Sequence, residues 1–139
     1  MKTSSAKAKG RVLQDFIRDV FRDIFRDVLE KDDITSRIMG CSGTDIILSP
    51  QASKLIPFSI ESKNQEKFSI NKSLRQAIDN AEDDRIPLVV FSKNRDDIYV
   101  SLKFNDFIKL IYPNWVPTIE IKGKAVIQKS ELPQDSTKI

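Results

Sequence analysis

Leu13, Ile17, Val20, Phe21, Ile24, Phe25 and Val28 recur three and four positions apart, the spacing that lines one face of an α-helix. The pattern predicts a helix over about residues 8–29. Interleaved with it runs a near-repeat, Arg18-Asp19, Arg22-Asp23, Arg26-Asp27, in which each Asp stands three residues before the next Arg. Such pairs give a helix mild support, and because the charges cancel they read as its solvated face, not as a coiled-coil seam or a base-reading helix. Beyond Glu30-Lys31-Asp32-Asp33 the period shortens. Residues 34–39 read as a short strand and Gly40-Cys41-Ser42-Gly43 as a tight turn. Residues 44–48, apolar and β-branched apart from Asp45, read as a second strand. A turn around Pro50 (residues 49–54) leads to a third strand, residues 56–63. Ile70, Leu74, Ala77, Ile78 and Ala81 mark a helix over about residues 70–83. The run Pro87-Leu-Val-Val-Phe-Ser92 has the unbroken apolar character of a strand covered on both faces, and residues 98–104 alternate as its partner. Asn105 or Asp106 is placed to cap a short last helix through Ile111, which Pro113, Trp115 and Pro117 terminate. Residues 118–121 suit an edge strand. The order is α-β-β-β-α-β-β-α, an α/β fold with a mixed central sheet in one domain over residues 1–122, followed by a poorly ordered tail, 123–139.

Composition narrows the chemistry more than it narrows the fold. With 40% apolar and 31% charged residues the chain has the make-up of an ordinary soluble protein. No apolar run approaches the roughly 20 residues of a membrane helix, and no hydrophobic signal segment follows the basic N-terminus. One cysteine, Cys41, cannot close an internal disulfide, which suits a reducing compartment, the cytoplasm. The absence of histidine excludes imidazole-ligated zinc and Ser-His or Cys-His catalysis. What remains is carboxylate, lysine and hydroxyl chemistry with a hard metal ion, and no organic cofactor. The net charge of +3 decides little. Its distribution matters more, since Lys2, Lys7, Lys9 and Arg11 precede the first acid and make residues 1–10 a basic arm, suited to phosphates or to a solubilising tail.

The third strand carries the candidate chemistry. Alternation puts Ser59, Glu61 and Lys63 on one face and Phe58, Ile60 and Ser62 on the other. A carboxylate and an ammonium inside a core-like strand are costly unless paired or metal-bound. If residues 44–48 and 56–63 form a hairpin turning near Ser53, Asp45 stands opposite Glu61 and Ile47 opposite Ser59. Facing carboxylates repel, and a divalent cation between them removes the conflict. Magnesium, content with one or two carboxylates plus water and phosphate, suits best. Lys63 on the same face is placed to stabilise developing charge or position an attacking water. These are the parts a phosphodiester hydrolase needs. The plain alternative is a turn aspartate and a surface Glu61–Lys63 pair.

Gly43-Thr44-Asp45 followed by Ile60-Glu61-Ser62-Lys63, a helix and two strands resembles the PD-(D/E)xK nuclease superfamily. The opening Lys9-Gly10-Arg11-Val12-Leu13-Gln14 ahead of a long helix resembles, within it, the archaeal-type Holliday-junction resolvases and related small phage endonucleases. The resemblance covers roughly residues 7–111. It implies a restriction-endonuclease-like α-β-β-β-α-β core with a mixed sheet flanked by helices. It also implies a metal held by Asp45, Glu61 and the backbone carbonyl of Ser62, with Mg2+ as cofactor and Mn2+ as substitute, Lys63 as the catalytic lysine, and a homodimer cutting branched DNA in the host cytoplasm. One position departs from the pattern. Those families carry a glutamate where this chain has Gln14, which can still offer the site a neutral oxygen but removes a charge. Asp15, about 100° around the helix, is a poor replacement. Weaker metal affinity, an altered metal preference or loss of activity are the expected consequences.

For nucleic acid, the candidates are Lys7, Lys9 and Arg11 on the arm, Ser42 and Gly43 through their amides, and Gln65, Lys67, Lys72, Arg75 and Gln76 after the motif strand. No zinc finger or comparable base-reading motif accompanies them, which favours recognition of backbone and shape. The leading expectation is a structure-selective endonuclease. Its competitors are a restriction- or repair-type enzyme on duplex or single strands, a catalytically impaired DNA-binding protein, and an adaptor that leaves Asp45, Glu61 and Lys63 unexplained.

Overall fold

Caps and strand pairing, more than periodicity, decide where the elements of this chain begin and end. The computed structural model describes residues 3–82, 84–93 and 96–119, in two compact units, Met1–Ser101 and Leu102–Ile139. In the first unit α1 spans Thr3–Ile24, so Lys7 and Lys9 ride on the helix itself. Leu13 and Ile17 are buried, but Val20 and Ile24 are 39% and 61% exposed: the inward stripe is shorter than the apolar pattern. The helix also stops earlier than its periodicity, because residues 25–28 tighten into turns, with Arg26 N–H donating to Asp23 O at 3.4 Å and Val28 N–H to Phe25 O at 3.0 Å. Closing turns of this i→i−3 kind are common at helix ends.

A 3-10 turn, Lys31–Asp33, delivers the chain to β1 (Ile34–Ser36), which pairs antiparallel with β2 (Ile46–Leu48), Ile34 facing Leu48 and Ser36 facing Ile46. Both strands are shorter than their apolar runs. The segment expected to be a turn around Pro50 is a helix, α2 (Pro50–Leu55). Ser49 caps it, accepting from Ala52 N–H at 3.1 Å, and Pro50 occupies the first helical position, where its missing N–H costs nothing. Ser49 is itself anchored, its Oγ donating to Asp33 Oδ1 at 2.6 Å.

Because α2 intervenes, β2 and β3 (Phe58–Asn64) do not form the expected hairpin. The described residues make two sheets, β1-β2 and β3-β4-β5. In the second, β3 runs parallel to β4 (Ile86–Ser92), with Glu61 beside Val89, and β5 (Tyr99–Ser101) adds antiparallel. A parallel pair needs a crossover, here α3 (Ile70–Asn80), capped by Ser69 and closed by extended Ala81, three residues short of the expected end. β4 is buried along nearly its whole length, as its unbroken apolar run implies. The core of this unit gathers Leu13, Ile17, Ile34, Ile46, Ile56, Ile60, Ala77 and Val89. The architecture is a mixed α/β fold with a mixed three-stranded sheet flanked by α1 and α3, compatible with a restriction-endonuclease-like core.

The second unit holds α4, Phe104–Ile111. Lys103, not Asn105 or Asp106, stands at its N-cap, with Asp106 in the first turn. Thr118 and Ile119 are not strand. The rest of the expected edge strand and the whole tail 123–139 lie outside the described residues. Among the described residues no helix is long and apolar enough to cross a membrane.

Candidate active site

In the sheet order β3 has one edge on β4 and the other free of the three-stranded ladder. Asp45 lies along that free edge. Its backbone N–H donates to Ile60 O at 3.0 Å, and its Oδ2 accepts from Ser62 N–H at 2.7 Å and Ser62 Oγ at 3.2 Å. The register expected from a hairpin is thus replaced by an edge contact centred on the same residue, Glu61. The loop between β1 and β2 makes this approach possible. Gly43 has φ +113°, which calls for glycine, and a Cβ there would meet the Arg37 guanidinium at 2.8 Å and displace it. Arg37 holds the loop through Nε donating to Thr44 O at 2.6 Å and through its backbone N–H donating to Asp45 O at 2.8 Å.

Glu61 is 3% exposed. Its Oε2 has no hydrogen-bond partner, while Oε1 lies 4.0 Å from Lys63 Nζ and the Asn80 side chain hydrogen-bonds the carboxylate from α3. Burial and the neighbouring Asp45 charge push its pKa up to about 7, against the pull of Lys63 and Asn80. Burial also raises Asp45, partly offset by the two Ser62 hydrogen bonds and by Lys63 and Arg37. Two carboxyls that both resist ionisation, one with a bare buried oxygen, would carry uncompensated negative charge once ionised. The donors these two side chains offer are hard oxygens. That donor set fits a divalent cation of the magnesium kind, although no group of three acidic, cysteine or histidine side chains converges among the described residues.

Asp45, Glu61, Ser62 and Lys63 line a cleft of about 780 Å³, together with Gln14 from α1. Gln14 is 2% exposed, and its Nε2 donates to Arg37 O at 2.9 Å and Asp45 O at 2.6 Å. Asp15 turns elsewhere, its Oδ1 accepting from Ser36 Oγ at 2.8 Å. Of the expected nucleic-acid contacts, Lys7, Ser42, Gly43, Gln65, Lys72, Arg75 and Gln76 border the cleft. Lys9, Arg11 and Lys67 do not. Lys9 contributes its backbone carbonyl, which accepts from Asn64 Nδ2 at 3.2 Å. The sequence reading missed Asp79 and Asn80, which also line the cleft. Their signal was present, because Lys72, Gln76 and Asn80 follow one another at helical spacing on the polar side of α3.

A family model described as "Phage putative PDDEXK endonuclease" matches residues 14–132, a span that includes Gln14, Asp45, Glu61 and Lys63. The chain belongs to this family. Comparisons with curated proteins and with solved structures returned no match. Glu61-Ser62-Lys63 has the residue order E-x-K that the family description spells, and Thr44, not a proline, precedes Asp45. Membership implies a DNA substrate.

Proposed function

We propose that this protein is a magnesium-dependent endonuclease selective for branched DNA, a four-way junction foremost, with manganese as a working substitute. The observation that carries the reading is Glu61: buried, one oxygen unpartnered, with Asp45 and Lys63 in the same cleft. In this reading Asp45, Glu61 and the Ser62 carbonyl hold the cation. When bound, the cation supplies Lewis acidity toward a phosphoryl oxygen and lowers the pKa of water. The chain's own groups do the rest. Ser62 N–H and Oγ fix the Asp45 carboxylate. Asn80 orients Glu61. Lys63, 4.0 Å from Glu61, sits where an ammonium can steer the attacking water and offset charge growing on the phosphate.

Lys7, Lys72 and Arg75, with Ser42, Gln65 and Gln76, border the acids and suit contacts to phosphates and sugars, which position a duplex without reading it. Selectivity for shape follows from that, and branched DNA from the resemblance to junction resolvases. A homodimer in the host cytoplasm belongs to the same proposal. The face offered is Val12, Phe16, Val20 and Ile24, exposed apolar residues at four-residue spacing on α1.

The test is cleavage of matched four-way-junction, fork, duplex and single-stranded DNA with magnesium, manganese or chelator. Metal-dependent cutting of the junction ahead of the other substrates is expected. Preferential cutting of linear duplex moves the protein to a restriction- or repair-type role. Junction binding without cleavage in either metal makes it a DNA-binding protein on a nuclease fold.

A further inference from the structure

Gln14 sits in the buried row of α1 between Leu13 and Ile17, yet its side chain is polar and points at backbone. Both groups it faces, Arg37 O and Asp45 O, are carbonyl oxygens, at 2.9 and 2.6 Å. Carbonyl oxygens only accept, so the atom between them must be the amide nitrogen. Asp45 O also accepts from Arg37 N–H, which uses both its lone pairs. With Asp45 N–H on Ile60 O and its carboxylate on Ser62, Asp45 is held at every polar atom but one carboxylate oxygen.

We infer that Gln14 is a positioning residue, a two-armed donor that ties α1 to both strands of the β1–β2 loop and so fixes the aspartate of the cleft, and that the site is built for glutamine and against glutamate here. A carboxylate in its place would have no proton to give and would stand against two carbonyl oxygens. Protonated, it would regain one of two donors. Either way at least one of the two carbonyls loses its donor from α1, and an unmade hydrogen bond inside a buried site costs more than a made one contributes. The inference rests on the proposed nuclease reading for its effect on rate, but not for its effect on Asp45.

The experiment compares the full-length chain with Gln14→Glu and with Gln14→Met, which keeps the shape and removes the donor. Steady-state junction cleavage is measured near pH 8, alongside amide hydrogen exchange at Ser62 by NMR. The expected result for Gln14→Glu is a kcat lower by about 10-fold or more near pH 8 with KM within about twofold. Gln14→Met loses kcat in the same way, with KM likewise little changed. In both, Ser62 N–H exchanges faster, because its acceptor has been freed. A Gln14→Glu variant that cuts as fast as the parent near pH 8, or Ser62 exchange unchanged in both variants, overturns the inference. Should Gln14→Glu not fold, Gln14→Met decides alone by the same two readouts. If the parent cuts no DNA, the nuclease reading falls while Ser62 exchange still decides the clamp.

Discussion

The outer face of α1 and the cleft hold charge in opposite ways. On α1 and the turn that closes it, Arg18 reaches Asp15 at 3.3 Å and Asp19 at 2.9 Å, Arg22 reaches Asp19 at 3.9 Å, and Arg26 reaches Asp23 at 3.0 Å. Each acid there has a cation within reach and water beyond it, and Arg18 beside it draws Asp19 below the usual carboxylate range. In the cleft Asp45 and Glu61 are pushed the other way, with one ammonium 4.0 Å from Glu61 and an oxygen left bare. Exposed ladders of ion pairs cost little and contribute little. Buried acids without full compensation cost stability and persist where something outside the chain completes them. Paired charge marks the outer face of α1, and incompletely paired charge marks the cleft.

Substitution separates the two regions. The largest effect is expected on cleavage: Glu61→Ala and Lys63→Ala each lower the rate by about 1,000-fold or more, with junction affinity in a mobility-shift assay largely kept. A variant of either kind that still cuts at the parent's rate breaks the contrast. Next comes stability. Folded Glu61 holds its proton up to about pH 7, against an ordinary value of 4.5. Below the lower value both folded and unfolded chains are protonated. Between the two only the unfolded chain ionises, so stability falls as pH rises, and above about 7 the penalty is complete. Glu61→Gln, which does not titrate, should therefore be more stable than the parent by about 1–3 kcal/mol at pH 8 in metal-free buffer, with little gain near pH 4. Chemical denaturation at both pH values checks it. The smallest effect is on the exposed ion pairs, where Arg26→Ala, in the turn after α1, should leave the melting temperature within about 2 °C.

Much of this was readable from residue order. The α1 and α3 stripes, the buried β4 and the gathering of Asp45, Glu61 and Lys63 at one cleft follow from period and from charges lodged in core-like strands, whereas Ser62 entered only through the family resemblance. Two things were not. Ser49-Pro50 was read as a turn although a capping serine before proline also opens a helix, and that one element turned an expected hairpin into an edge contact. The role of Gln14 was hidden because an amide offers oxygen or nitrogen equally well. The choice is made by the carbonyls of Arg37 and Asp45, which lie 23 and 31 residues away along the chain. Asn80 escaped because its partner, Glu61, meets it only once α3 crosses back over the sheet.

The central claim is that Asp45 and Glu61 together grip one divalent cation. Calorimetric titration of the DNA-free chain with manganese tests it directly. The account predicts one binding event that disappears in Asp45→Asn and in Glu61→Gln, and that releases part of a proton near pH 6.5 but almost none near pH 8.5, because the Glu61 pKa lies at about 7 and a ligating carboxyl must shed its proton. Undiminished binding in both variants would contradict it.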